Sequence, residues 1–533
     1  MKLRHFFFAA MLIGGFSACS DEENLGGVDS GSSEVNAYMT LQIVGPQGMG
    51  TKTDGDPSGD TDPADPESGD YLTGVANEGT IKSVMVILSQ NGSVTKTLNI
   101  SSGLETLNGI TSTPRIPVSE GIYEVYVIAN PPANFSVSEG VTAKVISNVL
   151  ESSMQTQYAN VLNGTFMMFN ECNGSEDTSI AGESITVTSA NDYENPAKTA
   201  APIQLDRLAV KINSSAASQV TITNLSKEFS AIAKVDLQGF KLLNGASEVN
   251  LQQKWEYGIA STYPWCNILK TPSMVNAAED GENNKGYYNH LSQFRVIEYA
   301  TVGDVTSYDY TTAQDTYDHV PYYGGDNAKT ASIYCMENNS SDLNGTTTGL
   351  VYQWKVTLNE NASDNIAGTN CFYSYDGKFY GKLADIETAY PGIFNVAEQQ
   401  TGEDTKLAAA ERELGDAYKV STGYANQQKA ISNFRAKYKI KVYTEGIMYY
   451  TYFIKDQNYI SNAGDVNSHY YSVMRNTIYD LKVTALNGIG TDIPGGWNPD
   501  VDPEDPVDPT NVYMVVQATV NPWVVSSEDI TLD

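Results

Sequence analysis

Residues 121–130 read Gly-Ile-Tyr-Glu-Val-Tyr-Val-Ile-Ala-Asn and are followed directly by two prolines. Because neighbouring side chains of an extended chain point to opposite faces, this alternation predicts a β-strand that stops at Pro131. Upstream, the apolar run 84–88 leads through Asn91-Gly92 into residues 95–100, and Asn-Gly is a strong signal for a hairpin turn. The first part of the chain is therefore expected to be β-sheet.

A second block of strands begins near Ile203. Strand patterns are found at 203–212, 219–225, 231–242, 350–358, 438–444 and 447–455. Residues 403–418, rich in Ala, Glu, Lys and Leu, predict the clearest helix, and 145–160 could hold a short one. Residues 255–345 carry many Tyr, Asn, Gly and Asp, and we expect long loops there. The fold class expected from these patterns is mainly β with a few short helices.

The charge of the chain excludes one broad class of partner. Among 533 residues there are 64 acidic and 32 basic side chains, which gives a formal net charge of −32. Such a surface repels phosphate backbones, so no nucleic-acid partner is expected. Hydrophobic residues make up 41% of the chain, which is enough to form real cores and argues against global disorder.

The N-terminus has the pattern of an export signal over residues 1–18. A charged start is followed by the apolar run 6–16, which is too short to span a bilayer. Phe16-Ser17-Ala18-Cys19 then resembles a bacterial lipobox, in which the cysteine carries lipid. The chain is expected to be anchored at Cys19, with an ordinary signal peptide and an incidental cysteine as the alternative. An acidic run, Ser20-Asp21-Glu22-Glu23, resembles a surface-export signal.

Nothing in the sequence predicts a catalytic or metal site. His290, His319 and His469 lie far apart and show no metal-ligand spacing. No phosphate-binding loop or nucleophile motif is found, so we expect no enzyme activity, no cofactor and no metal. Cys172, Cys266, Cys335 and Cys371 fit either two disulfides or four buried thiols, and the sequence does not choose a pairing.

The two ends of the chain resemble each other. Strand patterns place one set of apolar side chains on one face near the N-terminus, namely Val35, Ala37, Met39, Leu41 and Ile43. A second set shares one face near the C-terminus, namely Val512, Met514, Val516, Ala518 and Val520. Tyr38, Met39 and Gln42 recur in the same register as Tyr513, Met514 and Gln517. Two segments with one alternation can fill the same groove, so the tail of one copy could replace the N-terminal strand of another. The alternative is two ordinary edge strands that are alike by chance.

Two linkers connect these terminal segments to the rest of the chain. Residues 499–510 alternate Pro with Asp and Glu, which favours an extended spacer before the C-terminal segment. Residues 54–70 are rich in Asp, Pro and Gly, and a solvated linker is a better interpretation than a calcium loop. Lys52 is the one basic residue between His5 and Lys82. A trypsin-like protease would therefore cut between Lys52 and Thr53.

The order of these features resembles the shaft subunits of Bacteroidales type V pili. Besides the lipobox at Cys19, the resemblance rests on stretches spread over nearly the whole chain: 37–44, 123–130, 207–212, 473–481, 497–499 and 520–525. It implies two β-sandwich-like (transthyretin-like) domains and an extended C-terminal strand. The implied division is 1–18 signal peptide, 19–52 lipidated propeptide, 53–203 and 204–498 the two domains, 499–510 linker and 511–533 donor strand.

The resemblance also implies a function. An outer-membrane lipoprotein precursor, held by its lipid before cleavage, would lose its N-terminal strand to a trypsin-like surface protease and polymerise with itself by donor-strand exchange. The mature form would lie in extracellular fimbriae on the cell surface, with accessory tip and anchor subunits, and bind host or bacterial surface receptors. The family usually has Arg at the cleavage position, where this chain has Lys52. The alternative function is a monomeric surface lipoprotein or adhesin, a tip or anchor subunit that binds host protein or glycan.

Overall fold

The protein is described from a computed structural model. The structure describes residues 36–46, 72–73, 76–133, 135–140, 149–151, 166–170, 182–216, 220, 222, 229–245, 248–252, 254–256, 268–270, 299–302, 305–308, 330–339, 343–345, 347–366, 368–397, 405–419, 424–455, 471–494, 505–507 and 514–524.

The described strands are numbered in chain order. Those up to residue 207 are β1 Ala37–Met39, β2 Gln42–Val44, β3 Leu72–Thr73, β4 Val84–Gln90, β5 Ser93–Ile100, β6 Glu105–Leu107, β7 Ile110–Ser112, β8 Ile116–Val118, β9 Gly121–Ala129, β10 Val149–Glu151, β11 Met168–Asn170, β12 Glu183–Val187 and β13 Ile203–Arg207. Those after residue 208 are β14 Ala209–Ala216, β15 Ile232–Leu243, β16 Glu248–Asn250, β17 Lys254–Glu256, β18 Ile268–Lys270, β19 Tyr299–Val302, β20 Val305–Tyr308, β21 Thr330–Met336, β22 Asn338–Asn339, β23 Gly349–Leu358, β24 Asp364–Ile366, β25 Thr369–Tyr375, β26 Lys378–Tyr380, β27 Lys441–Tyr443, β28 Ile447–Phe453, β29 Ser472–Val473, β30 Thr477–Leu486 and β31 Met514–Val524. The expected mainly β fold class is confirmed.

The first half of the chain is organised around a nine-stranded sheet. Its order is β5-β4-β9-β11-β13-β2-β7-β6, with β12 also on β9, while β1 pairs with β8 alone. Alternate residues of β4 and β9 enter two different apolar clusters, so both faces of these strands are covered. Burial on both faces explains why 84–88 is continuously apolar. The predicted hairpin of β4 and β5 is confirmed, and Asn91 and Gly92 have the positive φ angles, 53° and 77°, that its tight turn requires.

The second half of the chain contains a β-sandwich. One sheet has the order β21-β14-β30-β31-β3 and the other has the order β15-β23-β28. Their inner faces share one core, to which Ile212 and Leu481 contribute from the first sheet and Tyr352 and Trp354 from the second. The chain passes from the first half to this sandwich at Leu208, because β13 belongs to the nine-stranded sheet and β14 to the five-stranded one.

A smaller unit of helices and short strands follows β23. The α-helices in the described residues are α1 Leu383–Ala389, α2 Lys406–Tyr418 and α3 Tyr424–Tyr438, and 3-10 turns lie at Ala76–Gly79, Ile393–Val396 and Thr444–Gly446. The predicted helix 403–418 is confirmed as α2, which begins after Thr405, whose side-chain oxygen accepts a hydrogen bond from the Ala408 amide at 3.1 Å. α1 and α3 were not predicted.

Three expectations about local structure are corrected. Residues 149–151 form β10, so the short helix expected over 145–160 is wrong there. The strand expected at 438–444 is shortened to β27, because α3 runs to Tyr438 and ends where Lys439 has a left-handed φ of 58°. Within 255–345, the described residues include the hairpin pairs β17–β18 and β19–β20 where loops were expected.

A buried polar network joins the two halves. Glu78, which is 1% exposed, accepts hydrogen bonds from Lys211 Nζ at 2.8 Å and from the Tyr334 hydroxyl at 2.5 Å. Arg207, which is 0% exposed, donates to the Glu78 carbonyl at 2.8 Å and to Asn476 Oδ1 at 2.7 Å. Because a buried charge is costly unless it is paired, this network favours one arrangement of the two halves.

Two of the four cysteines that follow Cys19 can be placed. Cys335 and Cys371 are free, buried thiols that belong to different apolar clusters. The alternative with two disulfides is therefore wrong. Cys172 and Cys266 lie outside the described residues.

Candidate docking slot for a terminal strand

The N-terminal segment 36–44, here called the leader strand, lies inside the fold. The side chains of Ala37, Met39, Leu41 and Ile43 are all 0% exposed and belong to the cluster that β4, β9 and β13 form. The sequence placed these four residues on one face, and the structure brings them together in one core. The fifth predicted residue, Val35, lies outside the described residues.

One edge of the leader strand is bound to the segment 111–118. Ala37 lies opposite Val118 and Met39 opposite Ile116 in the antiparallel pair of β1 and β8. Further along, the Leu41 carbonyl accepts from the Thr113 amide at 3.0 Å, and the Leu41 amide donates to Thr113 Oγ1 at 3.0 Å. The Thr113 side chain thus replaces a backbone partner, which accounts for the break between β1 and β2 where one continuous strand was expected.

The other edge is bound to residues 191–204. The Tyr38 amide donates to the Asn191 carbonyl at 2.8 Å, and the Tyr38 carbonyl accepts from the Ala197 amide at 2.8 Å. The Thr40 amide donates to the Ala197 carbonyl at 2.9 Å, and β2 then continues parallel to the start of β13. The leader strand is therefore a central strand with partners on both edges. We call its two walls, 110–118 and 191–204, together with the core beneath, the leader slot.

Two side chains meet above the leader strand. The Tyr38 ring packs edge-on against the Tyr193 ring, with centroids 5.3 Å apart and an interplanar angle of 88°. Arg115, from the opposite wall, lies 4.5 Å from the Tyr193 centroid and donates a hydrogen bond from Nε to the Tyr193 carbonyl. We call Arg115 and Tyr193 the clamp, because they connect the two walls of the slot over its occupant.

A lysine of β5 supports the same wall. Lys96 Nζ donates to the Pro117 carbonyl at 3.0 Å, and Pro117 lies opposite Tyr38 in the pairing of β1 and β8. Desolvation by burial lowers the pKa of Lys96, and the nearby Glu139 acts in the opposite direction. This hydrogen bond gives the Pro117 carbonyl, which lies in the wall next to the slot, a donor.

The C-terminal segment, β31, is here called the tail strand, and it lies in a different place. It pairs antiparallel with β30, so that Met514 is opposite Leu486, Val516 opposite Val483 and Ala518 opposite Leu481. Met514 is 6% exposed and belongs to the core of the β-sandwich in the second half of the chain, against which Val516 and Ala518 pack partly buried. The predicted apolar face is thus the inward face, but it is less completely covered than that of the leader strand.

The edge of the tail strand that faces away from β30 is partly paired with residues near the predicted cut. Leu72–Thr73 pairs parallel with Trp523–Val524. In sequence, this two-residue strand follows Thr53 by about twenty residues and precedes the turn that carries Glu78. The segment that begins at the predicted cleavage position therefore contacts the end of the tail.

The acidic linker is anchored at one point. The Asn344 amide donates to the Asp505 carbonyl at 3.0 Å, Leu343 forms a β-bridge with Pro506, and Val507 is 8% exposed. Residues 505–507 of the linker 499–510 are thus held against residues 343–344.

Several predicted site residues lie outside the described residues: Cys19, Val35, Lys52, Thr53 and Val512. The histidines His290, His319 and His469 do so as well, and only the backbone of Val520 is described, in β31. Within the part of the chain that the structure describes, no group of three or more His, Cys, Asp or Glu could hold a metal ion. Among those same residues, no helix has both the length and the apolar character needed to cross a membrane.

The walls of the slot were not predicted. Thr113, Arg115 and Tyr193 lie in proline-containing stretches, Thr113-Pro114-Arg115-Ile116-Pro117 and residues 191–197, that carry no clear strand alternation. Two prolines close together typically mark an edge or an extended segment, and this was the available signal.

A match to a known protein family covers the C-terminal region. Residues 441–529 match the family model described as major fimbrial subunit protein type IV, fimbrillin, C-terminal. This range includes β30 and the tail strand. No curated protein sequence matches the chain.

Solved structures of similar shape include a candidate cell adhesion protein from Parabacteroides distasonis, with a TM-score of 0.46 and 11% identity over 91% of this chain and 99% of that one. A fimbrilin from Porphyromonas gingivalis has a TM-score of 0.40 and 13% identity over 93% and 99% of the two chains. A C-terminally truncated tip fimbrial protein from the same species has a TM-score of 0.29 and 11% identity over 91% and 100%. Residues 441–529 are thus similar to the C-terminal region of the fimbrillin family of major fimbrial subunits.

Proposed function

We propose that this chain is a shaft subunit of a cell-surface fimbria that polymerises by donor-strand exchange. The observation that carries the proposal is the leader strand. Its core face is fully buried, it is bonded on both edges, and it precedes Lys52, the one basic residue between His5 and Lys82. A segment so placed completes the fold in the precursor and can be separated from it by one cut.

The first step proposed is export and anchoring. The chain would be lipidated at Cys19 and held at the outer membrane, so that the leader strand connects the lipid to the folded subunit. Cleavage between Lys52 and Thr53 by a trypsin-like surface protease would leave the leader strand bound only by non-covalent contacts.

Loss of the leader strand would leave an unstable slot. The backbone groups of Ile116, Val118, Asn191 and Ala197 that now bond to the leader would lose their partners, and such groups are costly when they remain buried. The side chains of the leader core face would leave an apolar groove. An open groove of this kind favours the addition of another strand.

The tail strand of a second copy is the proposed replacement. Its inward face matches that of the leader strand in alternation, and in its own subunit Val516 and Ala518 are only partly buried. Transfer into the slot would bury them further, which supplies a share of the driving force. Because the contact joins the tail of one copy to the head of the next, it does not close on itself and produces a filament.

Other partners follow from the same proposal. Accessory tip and anchor subunits would end the filament, and the assembled fimbria would bind host or bacterial surface receptors. A chain with both a removable leader strand and a tail strand fits the shaft better than either end.

The proposal is tested by trimming and deletion. Purified precursor is treated with trypsin, and unheated samples are separated by electrophoresis in detergent. We expect ladders of heat-labile multimers, and we expect Lys52→Arg to retain them while Lys52→Gln, which trypsin does not cut, stays monomeric.

The tail strand is tested in the same assay. Deletion of residues 512–533 should leave a folded, trimmed monomer without ladders. Ladders that persist without the tail strand would contradict strand exchange. A single species from the trimmed, full-length chain would favour the alternative function, a monomeric surface adhesin.

A further inference from the structure

The apolar face of the tail strand does not by itself define one register in the leader slot. A slip by one residue turns every side chain to the wrong face, but a slip by two residues keeps the face correct. The tail offers apolar side chains at Val512, Met514, Val516, Ala518 and Val520, so several registers two residues apart would all place apolar groups in the core. A contact on the outer face must therefore distinguish these registers.

The clamp acts on the outer face. Tyr38 is half-buried beneath Tyr193, and Arg115 reaches Tyr193 from the opposite wall. The two outer-face residues that follow Tyr38, namely Thr40 and Gln42, are smaller or more flexible, and Thr40 contacts its wall through a hydrogen bond from Oγ1 to the Thr113 carbonyl at 2.9 Å. Tyr38 is thus the aromatic side chain through which the leader strand meets the clamp.

The tail has one tyrosine, and it lies where the clamp requires it. Tyr513 directly precedes Met514, as Tyr38 directly precedes Met39, and Gln517 then corresponds to Gln42. In registers shifted by two residues, the position beneath Tyr193 would receive Asn511 or Val515, neither of which can offer an aromatic edge.

We infer that Arg115 and Tyr193 select the register of the incoming strand by receiving Tyr513 of a second copy in the place that Tyr38 holds in the precursor. This inference rests on the proposed strand exchange and adds the residues that set its register. The partner is a second copy of this chain, and the contact is an edge-on aromatic pair next to a cation–π pair.

The test measures the register directly with disulfide crosslinks. Gln42 lies opposite Ser112, so Gln517 of a second copy should lie there in the inferred register. Filaments are prepared from Ser112→Cys/Gln517→Cys, and the matched variants Ser112→Cys/Val515→Cys and Ser112→Cys/Thr519→Cys report slips of two residues in either direction. Each is oxidised, and covalent multimers are quantified after heating in detergent without reductant. Untrimmed protein carrying Lys52→Gln is the control for background crosslinks.

Each crosslinking variant is then combined with Tyr513→Ala, Tyr513→Phe or Tyr193→Ala. We expect the yield through position 517, relative to the summed yields through 515 and 519, to fall about tenfold with Tyr513→Ala or Tyr193→Ala. Tyr513→Phe should retain the parent ratio because the ring contact needs no hydroxyl. An unchanged ratio in both alanine variants would overturn the role of the clamp while leaving strand exchange intact. Absence of trimming-dependent multimers from the parent would overturn strand exchange, and this inference with it.

Discussion

A synthetic tail strand should restore the stability of a subunit that has lost its leader. The protein is trimmed at Lys52, lacks residues 512–533, and is freed of the leader peptide under mild denaturant. Met39, Leu41 and Ile43 are fully buried, and at about 1.5–3 kcal/mol each their removal forfeits about 5–9 kcal/mol of apolar burial. This is comparable with the whole stability of a typical domain, about 5–15 kcal/mol, so the emptied subunit should melt at a much lower temperature.

The peptide 511–521 is then compared with the peptide 36–46. In the matched register, Val516 takes the place of Leu41 with one methylene fewer, and Ala518 takes the place of Ile43 with three fewer. Val512 takes the place of Ala37 with two more. The net loss of two methylenes amounts to about 1.6 kcal/mol, so the tail peptide should bind about fifteenfold more weakly than the leader peptide.

The assay is thermal unfolding with increasing peptide, together with titration calorimetry. Peptide at about one hundred times its Kd should stabilise the subunit by about 2.7 kcal/mol and raise its Tm by about 5–10 °C. A tail peptide with Val516→Asp is the control and should give no rise, because it would place a charge in the core. If the leader peptide raised the Tm and the tail peptide did not, the two segments would not be interchangeable and the reasoning would fail.

Three further outcomes are expected. Glu78→Ala should lower the free energy of unfolding by about 3–5 kcal/mol, as judged by urea denaturation, because it leaves Lys211 buried without its carboxylate, whereas Glu78→Gln should cost less. Burial raises the pKa of Cys335 and raises that of Cys371 to about 11, so at pH 8 both thiols should be alkylated only as fast as the protein opens, and mass spectrometry of peptides from a rapid-labelling series would contradict this if either reacted at once. Val507→Asp should release the linker anchor and speed hydrogen exchange at the Asn344 amide about tenfold, with Val507→Ile as the control that keeps the present rate.

The strong strand patterns were predictable because their side chains report which face is buried. Residues 121–130, 231–242 and 350–358 form strands close to the predicted bounds, since burial of an alternating or continuous apolar run leaves its period in the sequence. The helix α3 was missed because packing against the cluster around Ile431 and Phe434 stabilises it, while the sequence from Tyr424 to Tyr438 shows little apolar stripe.

The inner residues of the candidate slot were predictable, and its walls were not. The leader strand was predictable from four apolar side chains at alternate positions. The leader strand is held in the slot by hydrogen bonds to Thr113 Oγ1 and to the backbone of Asn191 and Ala197. Such bonds leave no periodic pattern in the sequence. The contact of Arg115 with Tyr193 joins residues 78 positions apart, which a single sequence does not relate.

The passage of the chain at Leu208 has a mechanical consequence. β13 belongs to the leader slot, and β14 continues from it directly to lie parallel beside β30, from which the chain leads on to the tail strand. In a filament built as proposed, a pull on one subunit would enter at the slot and leave through the tail. The force would pass along the covalent chain from β13 into β14 and then through the hydrogen bonds between β14 and β30, and would load these two parallel strands lengthwise. Strands loaded in this direction must break many hydrogen bonds at once, so the force needed to separate neighbouring subunits should exceed the force needed to peel an edge strand from either sheet.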